Sequence, residues 1–113
     1  MRDPTFDAQA LLERGLGVFH GADPVTVRVR FSPYQARWIR ERRYHPSQQN
    51  EEQEGGGLIV TLHVAGTAEV KRWVLAYGRE AEVLEPAALR AEIAQEVNEL
   101  AKKYAAPVPV HPF

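Results

Sequence analysis

The amino-acid sequence predicts an α+β fold: a split βαβ sandwich in which one antiparallel sheet carries two helices on a single face. Residues 25–90 show the order strand, helix, strand, strand, helix, strand. The two longest strand segments alternate apolar and polar side chains, as a sheet with one covered face requires. This fold has no built-in chemistry, so function has to come from the open sheet face, an edge or a partner.

The first half of the domain begins with a strand over residues 25–31. Its apolar face consists of Val25, Val27, Val29 and Phe31. Ser32, Pro33 and Gln35 fit a capping box and predict the start of a helix, with Ser32 as the N-cap. The polar stretch 44–53 contains Pro46, which cannot donate a ladder hydrogen bond, so this stretch is predicted to form an edge strand.

The second half begins with a turn at Gly55–Gly57, followed by a central strand over residues 58–64. Thr67 is predicted to cap the second helix, and Gly78 is the expected C′ residue. The apolar stripe of this helix consists of Val70, Trp73, Val74 and Tyr77. A short last strand is predicted over residues 81–84.

A further helix is predicted from Pro86 to residue 104. Its apolar stripe consists of Leu89, Ile93, Val97, Leu100 and Tyr104. The core is already complete without this helix, so the stripe must pack on the same domain, on a neighbouring domain or on a second copy. Residues 1–24 are expected to form a connector helix and linker, 25–104 the folded domain and 105–113 an extended tail.

The composition excludes several classes of protein. The chain of 113 residues has no cysteine, so it cannot form a disulfide, a thiolate nucleophile or a Cys-ligated zinc site. It contains no apolar run approaching the ~20 residues of a membrane helix. Its N-terminus lacks the apolar core of a signal peptide, so we expect a cytoplasmic protein with no membrane partner. The net charge of −1 argues against a free-standing nucleic-acid binder.

No residue is predicted to be catalytic, and no metal or other cofactor is expected. The histidines are His20, His45, His63 and His111, and they do not fall at metal-ligand spacing. His45 adjoins Pro46 in a polar stretch and is expected at the surface. Ser32 is better explained as a cap than as a nucleophile, because no Ser–His–acid arrangement is indicated. A small enzyme is therefore the least favoured class.

The polar face of the sheet presents a choice between ion pairs and a binding site. In a split βαβ sheet with the strand order 4-1-3-2, Arg28 and Arg30 neighbour Glu80 and Glu82 across the ladder. Thr61 and His63 lie on their other side. Such cross-strand pairs usually only stabilise a sheet, and we favour that interpretation. The alternative is that Arg28, Arg30 and His63 recognise an anionic small molecule or an oligonucleotide.

Several arginines lie close together in the sequence shortly after the predicted start of the first helix. The cluster consists of Arg37, Arg40, Arg42 and Arg43. The acidic residues that follow it are Glu51, Glu52 and Glu54. We expect these carboxylates to cancel much of the positive field, so a solvated helix face is favoured over a phosphate-binding patch.

The order and spacing of these segments resemble the C-terminal extension of WYL-domain transcription regulators, the WCX domain. The similarity runs from about residue 25 to residue 104. It is carried by VRVRF at 27–31, RWIRERRYHPSQ at 37–48, the glycine turn before residue 58, EVKRWVLAYG at 69–78 and AEVLEPAALR at 81–90. The resemblance implies a ferredoxin-like domain, with a preceding connector that leaves a WYL domain.

The resemblance also implies a role. Family members are bacterial regulators with an N-terminal winged helix-turn-helix, a central WYL barrel and this end domain. The WYL barrel is the usual candidate for ligand sensing. The end domain takes part in dimerisation and regulatory contacts. Neither upstream domain is recognisable in these residues, so the chain is expected to be an excised C-terminal region that reaches DNA only through them. We therefore expect a homodimer. The expected interface residues are Arg42, His45, Gln48, Ile93, Val97 and Leu100.

Overall fold

The computed structural model describes residues 24–108; the predicted connector helix and the end of the predicted tail lie outside the described residues. The described part has an α+β fold, as predicted. Its strands are β1 (Val25–Phe31), β2 (Gln49–Glu52), β3 (Leu58–Val64) and β4 (Ala81–Glu85). Its helices are α1 (Pro33–Ile39), α2 (Ala68–Leu75) and α3 (Ala87–Ala105), and a 3-10 turn (Gly78–Glu80) precedes β4.

The strands form one antiparallel sheet in the order β2-β3-β1-β4, which read from the opposite edge is β4-β1-β3-β2. β1 and β3 pair along their whole lengths, from Val25 opposite Val64 to Phe31 opposite Leu58. β2 pairs only with β3 and is an edge strand. The long pairing of β1 with β3 fixes which side chains face the helices, since successive residues of a strand point to opposite faces.

One face of the sheet packs against α1, α2 and the first turn of α3. Val27, Val60 and Trp73 share this single interior, as the alternation predicted. The Trp73 ring lies at its centre, with ring centroids 5.5 Å from Phe31 and 5.1 Å from Tyr44. These aromatic contacts join α2 to the sheet and to the loop between α1 and β2, so the loop belongs to the core.

The helix ends are only partly as predicted. Ser32 caps α1, because its hydroxyl oxygen accepts a hydrogen bond from the backbone N–H of Gln35 at 3.2 Å. Thr67 occupies the N-cap position of α2, but its side chain makes no cap hydrogen bond. Gly78 has a φ of +59°, in the left-handed region that favours glycine, although it lies two residues beyond the C-cap Ala76 rather than one.

The edge strand is shorter than predicted. β2 begins at Gln49 instead of Tyr44, and residues 44–48 form a loop in which Tyr44, His45 and Gln48 are buried. The prediction that His45 is a surface residue is therefore wrong, since its exposed fraction is 3%. This polar segment is not at the surface, because Gln48 hydrogen-bonds to backbone groups of Tyr44 and Arg42 and His45 hydrogen-bonds to Ser47 inside the fold.

Candidate functional site

The open face of the sheet carries a chain of charged residues. Arg30 lies directly opposite Glu82, with 2.9 Å between Nη2 and Oε1. Glu82 also accepts a hydrogen bond from Arg90 of α3, with 2.7 Å between Oε2 and Nη1. The hydrogen bond from Arg90, followed by that from Arg30, lowers the pKa of the Glu82 carboxyl below its usual value. This triad connects β1, β4 and α3.

Arg28 has a different partner from the one predicted. A register shift between Arg28 and Val29 places Glu85 opposite Arg28, at 3.1 Å between Nη1 and Oε2. Glu80 does not face Arg28, because it precedes β4 in the 3-10 turn, where it accepts a hydrogen bond from the Ser32 hydroxyl. That hydrogen bond is the largest cause of the lowered pKa of Glu80.

The third predicted ligand-binding residue, His63, lies on the same face. It is opposite Thr26, and its Nδ1 atom is 3.1 Å from the Thr26 hydroxyl oxygen. The structure thus brings Arg28, Arg30 and His63 onto one surface. Both arginines already contact carboxylates, so an incoming anion would have to displace Glu85 or Glu82. The geometry favours the interpretation in which these charges stabilise the sheet.

The loop between α1 and β2 is organised by Gln48. Its Oε1 atom accepts a hydrogen bond from the backbone N–H of Tyr44 at 2.6 Å. Its Nε2 atom donates to the Arg42 carbonyl oxygen and to Asn50 Oδ1, both at 3.0 Å. Gln48 is buried by these contacts, so it orders the loop from within.

Ser47 extends the sheet edge with its side chain. Its hydroxyl oxygen accepts a hydrogen bond from the His63 N–H at 2.8 Å and lies 3.2 Å from the His63 carbonyl oxygen. Gln49 is opposite Thr61, so Ser47, two residues before Gln49, falls opposite His63 when this register is continued. The Ser47 N–H in turn donates to Nδ1 of the buried His45 at 3.1 Å. The role of Ser47 is not predicted from the sequence. The available signal is Pro46, which lacks the backbone N–H of a ladder and so leaves a side chain to continue the pairing.

Contrary to the prediction, the acidic residues that follow the arginine cluster do not act on it together. Glu52 binds Arg40 with both carboxylate oxygens, at 2.8 and 3.0 Å, and the Arg40 hydrogen bond lowers the pKa of Glu52. Glu51, the preceding residue, lies on the other sheet face, 3.8 Å from Arg28. The alternation of β2 therefore sends one carboxylate towards the cluster and the next away from it.

The apolar stripe of α3 is divided between core and surface. Leu89 is buried, and Ile93 packs against the core. Val97 is 47% exposed, Leu100 48% and Tyr104 84%. Within residues 24–108, no element covers this second half of the stripe. The side chains of Val97, Leu100 and Tyr104, named here the α3 end stripe, are therefore a large apolar surface on the outside of the domain.

Ion pairs hold the middle of α3 against α2. The Lys71 amine lies 3.4 Å from a carboxylate oxygen of Glu92 and 3.3 Å from one of Glu96. These pairs sit beside Ile93, so the helix is fixed to the domain up to this point. The α3 end stripe begins one residue beyond Glu96, where these attachments stop.

Within residues 24–108 the structure contains no cluster of three or more side chains suited to hold a metal ion. None of the helices in that range combines the length and the apolar character of a membrane span. Of the four histidines, the described ones make hydrogen bonds, His45 with Ser47 and His63 with Thr26.

Comparison with known proteins identifies the family. A family model described as the WCX domain matches residues 23–101, most of the 113-residue chain and nearly all of its described part. No curated protein matches the chain. Membership in this family suggests a regulatory domain of a WYL-type protein. With its sheet, its two covering helices and the start of α3 all inside the matched range, the chain belongs to the WCX domain family.

Proposed function

We propose that this chain is the non-catalytic C-terminal regulatory and dimerisation domain of a WYL-type transcription regulator, with a ferredoxin-like fold. The observation that carries the proposal is the division of the α3 stripe. Its first residue, Leu89, is buried, whereas Val97, Leu100 and Tyr104 continue the same stripe outside the domain. An apolar helix face of this kind is typical of a protein interface.

A second copy of the chain fits the α3 end stripe. The stripe positions 93, 97, 100 and 104 are spaced by four, three and four residues, the spacing of a two-helix seam. Glu96, which also pairs with Lys71 at 3.3 Å, and Lys103 are seven residues apart and lie on the same side of this seam. When two α3 helices pair antiparallel about a two-fold axis, Glu96 of one copy faces Lys103 of the other twice, so the surface is complementary to itself.

The size of the stripe sets the expected strength of association. Stable interfaces bury about 1,200–2,000 Å² in total, more than two turns of a single helix pair supply. The domain alone is therefore expected to associate weakly. In the parent protein, the upstream WYL domain would add contact area, and the helix-turn-helix domain would make the contact with DNA.

In this proposal the loop between α1 and β2 has a different role from the one predicted, which was direct contact with a partner. His45 and Gln48 are buried, so they support the loop instead of touching a partner directly. Arg42 is half-buried, so it is the predicted interface residue of this loop that would contact a partner directly. The effector-binding alternative on the open sheet face receives less support, because Arg28 and Arg30 already contact Glu85 and Glu82.

Sedimentation velocity over a range of concentrations tests the proposal. The chain should shift from monomer towards dimer as its concentration rises, and Val97→Asp combined with Leu100→Asp should abolish the shift. Asn98→Asp adds a charge on an exposed position beside the stripe and should leave much of the association intact. A chain that stays monomeric at every concentration, or a dimer that survives the double substitution, would refute dimerisation through α3.

The antiparallel orientation has its own test. Lys103→Glu should weaken the dimer, because it places two carboxylates beside each other at both ends of the seam. Lys102→Glu makes the same change of charge on the outer side of α3, so it should have a smaller effect. Equal effects of the two substitutions would contradict the orientation.

A further inference from the structure

A second exposed surface lies on α1 and is formed by two aromatic rings and one arginine. Tyr34 is 57% exposed and Trp38 37% exposed, with their ring centroids 5.0 Å apart in an edge-to-face arrangement. The guanidinium of Arg37 lies 4.9 Å from the Tyr34 centroid and 4.3 Å from the Trp38 centroid. These three residues, named here the aromatic-arginine patch, do not belong to the core or to the α3 end stripe.

The guanidinium of Arg37 is held in place but keeps most of its hydrogen-bonding capacity. Its Nε atom donates to the Tyr34 carbonyl oxygen at 3.2 Å, and the two rings fix its plane. No described carboxylate lies within ion-pair distance of Arg37, unlike Arg28, Arg30 and Arg40. Its two Nη groups therefore form a preorganised fork that suits a carboxylate from another molecule.

A cleft of about 370 Å³ lies beyond the C-terminal end of α1. It is lined by Arg40, which also binds Glu52, and by Glu41, Arg42, Arg43, Gln48 and Asn50. The Nη1 atom of Arg43 donates to the carbonyl oxygens of Pro46 and Gln48, both at 3.3 Å, which fixes this arginine to the loop. The cleft wall is therefore ordered by the same loop contacts that bury Gln48.

We propose that the aromatic-arginine patch and this cleft dock an acidic segment of another protein. The patch would bind one carboxylate at Arg37 and apolar side chains against Tyr34 and Trp38. Further carboxylates of the segment would lie along the arginine-lined cleft. Trp, Tyr and Arg are the residue types that contribute most to protein–protein binding. Here the three side chains already contact one another, so binding would order them little further.

Two observations favour an acidic protein segment over a nucleic acid. The guanidinium of Arg37 already lies over both rings, which leaves less of each ring for base stacking. Glu41 lines the cleft, where it would repel a continuous phosphate backbone. A segment with spaced carboxylates can avoid Glu41.

Two-dimensional NMR of the 113-residue chain tests this proposal, because Trp38 is exposed and Trp73 is buried. Each tryptophan gives one indole N–H signal, and Trp38→Phe assigns them. The probes are a tryptophan-free peptide rich in glutamate and leucine, the same peptide with lysine in place of glutamate, and a thymidine oligonucleotide of similar length. At low salt, the acidic peptide should move the Trp38 signal and leave the Trp73 signal in place.

Substitutions then locate the binding site. Arg37→Gln should weaken the acidic peptide by about tenfold, the scale of a residue central to an interface. Arg79→Gln is the matched control, since Arg79 is almost fully exposed and distant in sequence from the patch, and it should leave the affinity unchanged. The proposal is overturned if the acidic peptide does not move the Trp38 signal. It is equally overturned if the lysine peptide or the oligonucleotide binds as well, or if Arg37→Gln has no effect.

Discussion

The hydroxyl of Ser47 replaces a strand partner for His63. It lies where a residue of an extended β2 would pair with His63, 2.8 Å from the His63 nitrogen and 3.2 Å from its carbonyl oxygen. The backbone groups of His63 are thereby satisfied two residues before β2 begins at Gln49. Because His45 accepts from the Ser47 N–H, the same residue also ties the loop to β3.

Ser47→Ala removes this connection. We expect it to reduce the free energy of unfolding by about 1–3 kcal/mol, since backbone groups of His63 lose their partner in a half-buried site. Urea denaturation measures the change. Thr67→Ala is the control, because it removes a hydroxyl that makes no cap hydrogen bond, and it should cost less. Equal losses in the two variants would contradict the role given to Ser47.

The Glu82 triad predicts a pH dependence of stability. Hydrogen bonds from Arg90 and Arg30 lower the pKa of Glu82 in the folded chain, so its contribution is complete above the unfolded pKa. The contribution is lost as the pH falls from about 4.3, the ordinary value for glutamate, through the lowered folded value.

Glu82→Gln should therefore cost about 0.5–1 kcal/mol at pH 7, a modest value because these partly exposed charges are screened by solvent. The difference from the unchanged chain should shrink in acid. Urea denaturation at neutral and acidic pH measures it, and a difference that stays constant with pH would argue against the triad.

The division of the α3 stripe predicts unequal costs along one helix. Leu89→Ala should lower the free energy of unfolding by about 2–5 kcal/mol, because it opens a cavity in the core. Leu100→Ala should change it by less than about 0.5 kcal/mol when the chain is dilute and monomeric, because this side chain is half exposed. Thermal or urea unfolding at low concentration compares them, and similar costs would mean that the far end of α3 is packed on the domain.

Gly78 and Gly66 offer a matched pair of substitutions. A Cβ atom at either position meets nothing within 4 Å, but only Gly78 has a φ in the left-handed region, +59°. Gly78→Ala should therefore destabilise the chain by about 1–2 kcal/mol. Gly66→Ala should be neutral or stabilising by up to about 1 kcal/mol, because alanine restricts the unfolded chain. Circular dichroism during thermal unfolding distinguishes these outcomes.

The sequence predicted the sheet and its covered face well, because alternation in β1 and β3 is a local property. Val27, Val60 and Trp73 share the predicted interior for this reason. The partner of Arg28 could not be predicted, since it depends on a register shift between Arg28 and Val29 that places Glu85 instead of Leu84 opposite Arg28. No local pattern in β4 marks that shift.

The loop between α1 and β2 shows the other limit of sequence reasoning. Residues 44–48 are polar, and polarity suggested an exposed edge. Tyr44 instead packs on Trp73, and Ser47 bonds to His63, both of them far along the chain. These partners are brought together only by the fold, so the burial of His45 and Gln48 could not be inferred from neighbours in sequence.

The edge strand β2 places the carboxylates of Glu51 and Glu52 on opposite sides of the sheet, and all four of its residues are exposed. A strand from another molecule that paired with β2 would meet charged side chains on both faces, Glu51 on one and the Arg40–Glu52 ion pair on the other. Such a border resists fibre growth and aggregation. The β2 margin is thereby disfavoured as a place for another molecule to extend the sheet.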